Sequence, residues 1–369
     1  MENLVNPILD LAITIQQIPA PTFHEAERAA FVRAQFRKEG LLDVSTGPAR
    51  NVYGRLAGLG DAPPIVISAH TDTVFPAGTD LSLTRTPKRI HGPGIGDNSV
   101  AVAGLIGLVW ALREKNAQLP GDIWLVANTG EEGLGDLKGM REVVKRFAGA
   151  PLAYVILEGM ALGRVQHRGV AVRRYRITAK THGGHAWGQF GRPSAIHELA
   201  SLIMEITRIP LPLQPRTTVN VGVIHGGISI NTIAPNAHLE LDLRAETLHT
   251  LEKVARQVLA LVKRASRGDE IQTTAEKIGD RPAGEIPANH PLVQLAARCL
   301  QAQGLQHHIS ISSTDANIPL SMGLPAICIG LTTGSGAHTV SEYIDVEPLK
   351  KGLAQLVTLV EGVFQVLIK

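Results

Sequence analysis

Apolar positions recur at helical spacing over residues 4–18 and again over 22–39, and Pro19 and Pro21 divide the two runs. Residues 51–56 and 65–68 then read as strands. The second is wholly apolar, the mark of a strand covered on both faces and central in its sheet. Asp97, Asn98 and Ser99 offer caps for the helix that follows. That helix holds the longest apolar run, residues 100–112, interrupted by Gly104 and Gly107. A bilayer needs about 20 such residues, so the run predicts a buried helix rather than a membrane span. Further apolar strands are predicted at 123–127 and 154–157. Alternating buried strands and helices imply an α/β fold with a mixed, mostly parallel sheet and helices on both faces.

From about Val170 the texture changes. Residues 172–179 alternate like a half-exposed strand, and a helix follows over 194–207. Strands at 218–224 and 238–244 and a helix at 250–265 complete a smaller α+β segment. The first texture then returns with a helix at 291–303, an apolar strand at 326–329 and a terminal helix at 348–367. The expected organisation is a large domain from residues 1–169 and 285–369, with an inserted α+β domain over 170–284. No internal repeat or low-complexity tract occurs.

At 369 residues, two domains are the ordinary outcome for a globular chain. The composition, 44% hydrophobic and 19% charged, excludes disorder, and a net charge of +3 without a dense Lys/Arg block argues against nucleic acid as a partner. Cys299 and Cys328 lie in apolar surroundings without a CxxC spacing, which suits a reducing compartment and no disulfide. The first ten residues lack the basic and apolar regions of a signal peptide. A cytoplasmic protein without membrane association is expected.

The chemistry is concentrated at strand ends. The strand at 65–68 runs into His70 and Asp72, the strand at 123–127 into Glu131 and Glu132, and the strand at 154–157 into Glu158. Asp97 follows the glycine-rich turn from Gly92 to Gly96. In open α/β sheets ligands bind beyond the carboxyl ends of the strands, so one imidazole and five carboxylates converge there. Any one of these groups alone reads as a loop polar residue or cap. Together they cannot share a cleft without cations, and imidazole with carboxylate suits two divalent metals, zinc first, with cobalt or manganese as alternatives.

His70-Thr-Asp72, Gly96-Asp97-Asn98, Glu131-Glu132-Gly133, Glu158-Gly159 and His338-Thr339 stand in the order found in the co-catalytic zinc amidohydrolases and exopeptidases. The chain resembles that family, which includes carboxypeptidase G, peptidase T, acetylornithine deacetylase, succinyl-diaminopimelate desuccinylase and aminoacylase. The resemblance implies that Asp97 bridges two metals. It gives His70 and Glu158 to one ion, and Glu132 and His338 to the other. It makes Glu131 the general base, which takes a proton from the attacking water and delivers it to the leaving amine. Asp72 would orient His70 through its second ring nitrogen. The peptide bond between Asp97 and Asn98 would be cis.

The inserted segment carries the same likeness. Gly183-Gly184-His185-Ala186 resembles a motif whose His reaches the partner subunit's site and supports an oxyanion, which implies a homodimer through the inserted dimerisation and lid domain. The alternative for His185 is a surface loop residue. Asn231 and Arg244 resemble the family's substrate-carboxylate region, although Arg244 reads equally as a solvated strand residue. Asn317, in Ser313-Thr-Asp-Ala-Asn317, resembles a segment near the substrate.

Neither a dinucleotide fingerprint, a phosphate loop, an HExxH helix nor a GxSxG elbow is present. The reading is a two-metal hydrolase of an amide bond in small peptides, acting as an exopeptidase. A deacylase of N-acyl amino acids is the alternative. A non-catalytic peptide- or metal-binding relative is disfavoured because the ligands, Asp72 and Glu131 are all present.

Overall fold

A computed structural model describes residues 1–368 and divides the chain into two compact units, Met1–Gly169 with Gly284 onward, and Val170–Ala283. The large unit is built on a nine-stranded sheet. Its centre is parallel: Ala62–His70 lies between Gly121–Asn128 and Ala153–Glu158, and Ala326–Gly330 follows beside the latter. Val52–Leu56 and Leu42–Thr46 extend one side antiparallel. On the other side Arg164–Gly169 runs antiparallel to Ala326–Gly330 and pairs with Gly284–Glu285 and, in parallel, with His308–Ser312.

Successive residues of a strand face opposite sides of a sheet, and Ile65, Val66 and Ile67 are all fully buried, so both sheet faces are covered. The apolar run predicted as a buried helix forms Val100–Glu114, which packs between Glu2–Gln16 and Leu349–Leu367. Its residues from Val100 to Val109 are sealed from solvent. The parallel register then aligns the strand ends. His70 stands opposite Asn128, and Glu158 opposite Gly330.

The small unit has four antiparallel strands in the order Thr217–Gly226, Asn236–Ala245, Ala171–Thr181, Ile271–Arg281. Tyr175, Ile177, Leu239, Leu241 and Leu243 share one core with the helices Ala195–Thr207 and Leu248–Ala265. The alternate positions carry cross-strand ion pairs, Arg174 with Asp242 and Arg176 with Glu240, as period-two patterning requires. The strand Ile271–Arg281 was not expected from the sequence. Gln272, Thr274 and Glu276 are its outward residues, and Thr273 and Ala275 between them leave too little apolar contrast to mark it.

Two local expectations are also corrected. The second helix begins at Ala26 rather than near 22, because Phe23 has a left-handed φ of 76° and the Thr22 hydroxyl is bonded to Asp72. Asp97 and Asn98 do not cap Val100–Glu114. Their side chains are turned to the strand ends instead, and the Ser99 hydroxyl donates back to the Gly94 carbonyl.

Candidate metal centre

The acids and imidazoles gathered at the strand ends of the large unit are held by neighbouring side chains and main-chain groups. His70, the last residue of its strand, is 1% exposed, with Nε2 3.1 Å from Asp97 Oδ1 and 3.8 Å from Glu158 Oε2. Asp97 lies in an irregular turn, Ile95–Ser99, with a cis bond to Asn98. Its second oxygen, Oδ2, is 3.2 Å from His338 Nε2, and Glu132 Oε1 is also 3.2 Å from that nitrogen. Asp97 therefore divides its two oxygens between the two imidazoles. Two sets of ligand atoms result, His70–Asp97–Glu158 and Asp97–Glu132–His338, each within 4.8 Å and sharing one carboxylate.

Asn98 fixes the first set. Its Nδ2 donates to the Leu157 carbonyl at 2.9 Å and its Oδ1 accepts from the Gly159 amide at 2.9 Å, so the amide straddles Glu158. A Cβ at Gly159 would stand 1.9 Å from the Gly96 carbonyl oxygen, which is why only glycine lets these two turns meet.

Asp72 fixes the pair of glutamates. It is fully buried and accepts from the Glu131 amide at 3.0 Å, the Glu132 amide at 2.9 Å and the Thr22 hydroxyl at 2.9 Å. The Nδ1 of His70 lies 3.1 Å from the Asp72 backbone carbonyl and 3.6 Å from its carboxylate. The ring is thus oriented first by the main chain of Asp72, while its side chain sets the direction of the two glutamates. Glu131 itself is 6% exposed and groups with His70 and Glu132 within the same 4.8 Å.

The electrostatics match the donor set. Burial pushes the carboxyls of Glu132 and Glu158 up to about 7, and the charges of Asp97 and Glu131 push the same way. Bonds to Asp97 and Glu132 raise His338 to about 10. Burial would lift Asp97 too, but hydrogen bonds from His338 and His70 outweigh it and hold its carboxyl below the usual range. Protonation alone is a poor balance for this many acids, whereas divalent cations neutralise them directly. Nitrogen and oxygen donors without thiolate fit zinc, cobalt or manganese alike. The cluster can hold metal.

Sequence reasoning missed several supports. Arg28, 2% exposed, donates to the carbonyls of Ile18 and Thr71 and so braces the turn between His70 and Asp72. Asp315, fully buried, accepts from Asn128 at 2.6 Å beyond the strand end opposite His70. Glu342, also fully buried, accepts the amides of Gly94, Gly96 and Asp97. A charge on the apolar arc of Ala29, Val32 and Phe36 was a readable signal for Arg28. The other two answer main-chain or distant groups that no spacing reveals.

In the small unit, His185 pairs with Thr232 across the short ladder of Gly184–His185 and Thr232–Ile233. Its Nδ1 accepts from the amides of Trp187 at 3.2 Å and Gly188 at 3.3 Å, which leaves the proton of the neutral ring on the outward Nε2. Asn231 lies beside it, its carbonyl accepting from the Ala186 amide. Arg244 does not join them. It stands eight residues along its strand from Asn236, a separation of about 27 Å, and its Nε donates to Asp242 at 2.7 Å. In the large unit Asn317 is fully buried, with Oδ1 accepting from the Thr314 amide at 3.1 Å.

The sequence pattern of peptidase family M20/M25/M40 matches residues 66–362. The acetylornithine deacetylase of Salmonella typhimurium is 26% identical over 390 residues, covering 97% of this chain and 98% of that protein. Among solved structures, a tripeptidase of Staphylococcus aureus superposes with a TM-score of 0.81 at 22% identity, over 98% of this chain and 99% of that one. The Bacillus subtilis protein YXEP, described as a dinuclear metal binding peptidase, gives 0.70 at 17% identity, over 99% and 100%.

Proposed function

We propose that this chain, which belongs to peptidase family M20/M25/M40, cleaves the amide bond of small peptides as a two-metal exopeptidase. The chain is a hydrolase of the peptide and acyl-amino-acid class. The finer reading rests on one observation, the division of the Asp97 oxygens between His70 and His338. In this reading His70, Asp97 and Glu158 hold one ion, and Asp97, Glu132 and His338 the other. When bound, the ions would polarise the scissile carbonyl and acidify the attacking water.

The chain's own groups do the rest. Glu131 accepts the proton that the water loses and passes it to the leaving nitrogen, so one carboxylate serves both halves of the exchange. Asp72, through the two amides it accepts, fixes the main chain from which Glu131 and Glu132 project. His185 offers Nε2–H to an oxyanion, and Asn231 beside it is the candidate substrate contact. Arg244 is committed to Asp242, and Asn317 shapes the turn at Thr314 from beneath. A homodimer through the small unit belongs to this reading. Its support is the open edge strand Thr217–Gly226, where Val223 and Ile224 are exposed.

A deacylase of N-acyl amino acids is the second reading, favoured by the likeness to acetylornithine deacetylase over nearly the full chain. The test loads metal-stripped protein with zinc, cobalt or manganese and offers dipeptides, tripeptides, and N-acetyl and N-succinyl amino acids. Release of amino acids from peptides is expected. Release from acylated amino acids alone selects the second reading, and no hydrolysis with two ions bound defeats both.

A further inference from the structure

We propose that Glu342 is a positioning residue that sets how tightly the ion shared by Asp97, Glu132 and His338 is held, an inference that rests on the two-metal reading. Its carboxylate is fully buried. Oε1 accepts from the Gly96 amide at 2.6 Å and the Asp97 amide at 2.8 Å, and Oε2 accepts from the Gly94 amide at 3.0 Å. The Glu342 backbone carbonyl takes the Gly92 amide at 2.9 Å. One residue thus gathers main-chain donors from most of the turn that presents Asp97.

That residue sits four positions after His338, whose backbone holds a left-handed φ of 65° and whose side chain is 55% exposed. His338 is carried on a loop between the short strands Gly334–Ser335 and Tyr343–Asp345. The other set of ligands is supported differently. His70 and Glu158 end strands in the interior of the sheet, and their places are fixed by its ladder. Glu342 supplies the missing support by tying the His338 loop to the Asp97 turn.

Burying an acid beside Asp97 brings desolvation and like-charge repulsion, which oppose what its three amide bonds contribute to the metal-free fold. Glu342→Gln removes that repulsion yet spoils the cradle, because its amide nitrogen meets an N–H where an oxygen stood. Simple loop anchoring predicts lost stability; metal positioning predicts lost metal affinity. The two roles therefore differ in which quantity moves.

The experiment titrates metal-stripped full-length wild type, E342Q and E342D with Co2+ against a competing chelator, following the cobalt absorption, and melts the same metal-free samples. Groups that support metal ligands typically contribute about 10–100-fold in affinity. In E342Q one equivalent of Co2+ is expected to weaken by at least about tenfold, and the other, which also uses Asp97, by less. Its metal-free Tm should stay close to that of wild type, because the lost amide bond and the relieved repulsion oppose one another. E342D, too short to reach both amide groups, should weaken the same equivalent. Wild-type affinity for both equivalents overturns the proposal, as does equal weakening of both with a lower metal-free Tm. A wild type that binds fewer than two ions overturns the two-metal reading itself, and this inference with it.

Discussion

The two units treat their candidate residues in opposite ways. In the large unit His70, Asp72, Glu131 and Glu132 are nearly sealed, and their directions are set by Asp72, Arg28 and the sheet ladder. In the small unit His185 and Asn231 are exposed, and Trp187 and Phe190 beside them are about as open as side chains become, at 89% and 90%. A buried cluster is organised before any ligand arrives, whereas an exposed histidine with one nitrogen locked waits for what it will meet. Chemistry that needs exact placement belongs to the first, and recognition that adapts belongs to the second.

The largest effect is expected from Glu131→Gln. Turnover is expected to fall about 10²–10⁴-fold, the usual worth of a general base, with both metals retained by titration. A wild-type rate would remove Glu131 from the chemistry and the large unit's advantage with it. Next is His185→Ala, expected to lower kcat about 10²–10³-fold, the scale of one oxyanion donor, without altering metal content. Full activity, or a fully active monomer in sedimentation, would reduce the small unit to a bystander.

A third test concerns pH. Glu132 and Glu158 are raised from 4.5 to about 7 in the folded, metal-free protein, so the folded state keeps protons that the unfolded chain releases. Their contribution is full below pH 4.5 and is lost as pH rises through 7. His338, raised from 6.5 to about 10, adds stability that is full below 6.5 and lost as pH rises through 10. The metal-free Tm should therefore fall between about pH 5 and about pH 8, and saturating metal should remove the fall. A flat profile would mean that the acids are not crowded as described. The smallest effect is expected from Arg244→Ala, with KM within about threefold of wild type, because Asp242 already occupies the guanidinium and exposed pairs are worth little. A tenfold rise in KM would return Arg244 to the substrate site.

Much of the large unit was legible because its parallel strands are apolar throughout. Ile65–Ile67 and Ala326–Ile329 need no partner to be recognised, and the acids and histidine that follow such strands mark the site. Strands such as Arg164–Gly169, with Gln166 and His167 inside, and Ile271–Arg281 could not be read this way, because their place depends on neighbours distant in the sequence. The same limit applies within the site. His338 and Glu132 were found from motif order. Thr22 and Glu342 were not, since each serves groups that only the folded chain brings near.

The strand Ala326–Gly330 lies between Ala153–Glu158 and Arg164–Gly169, although the whole small unit is synthesised before it. A ribosome adding about 5–20 residues per second leaves that slot open for roughly ten to thirty seconds. During this interval the nascent protein carries two unsatisfied strand edges and lacks the histidine that completes its second set of ion-holding groups. A ribosome stalled upstream of Ala326 would leave both edges open to mispairing, a hazard that comes from inserting one unit into the sequence of another.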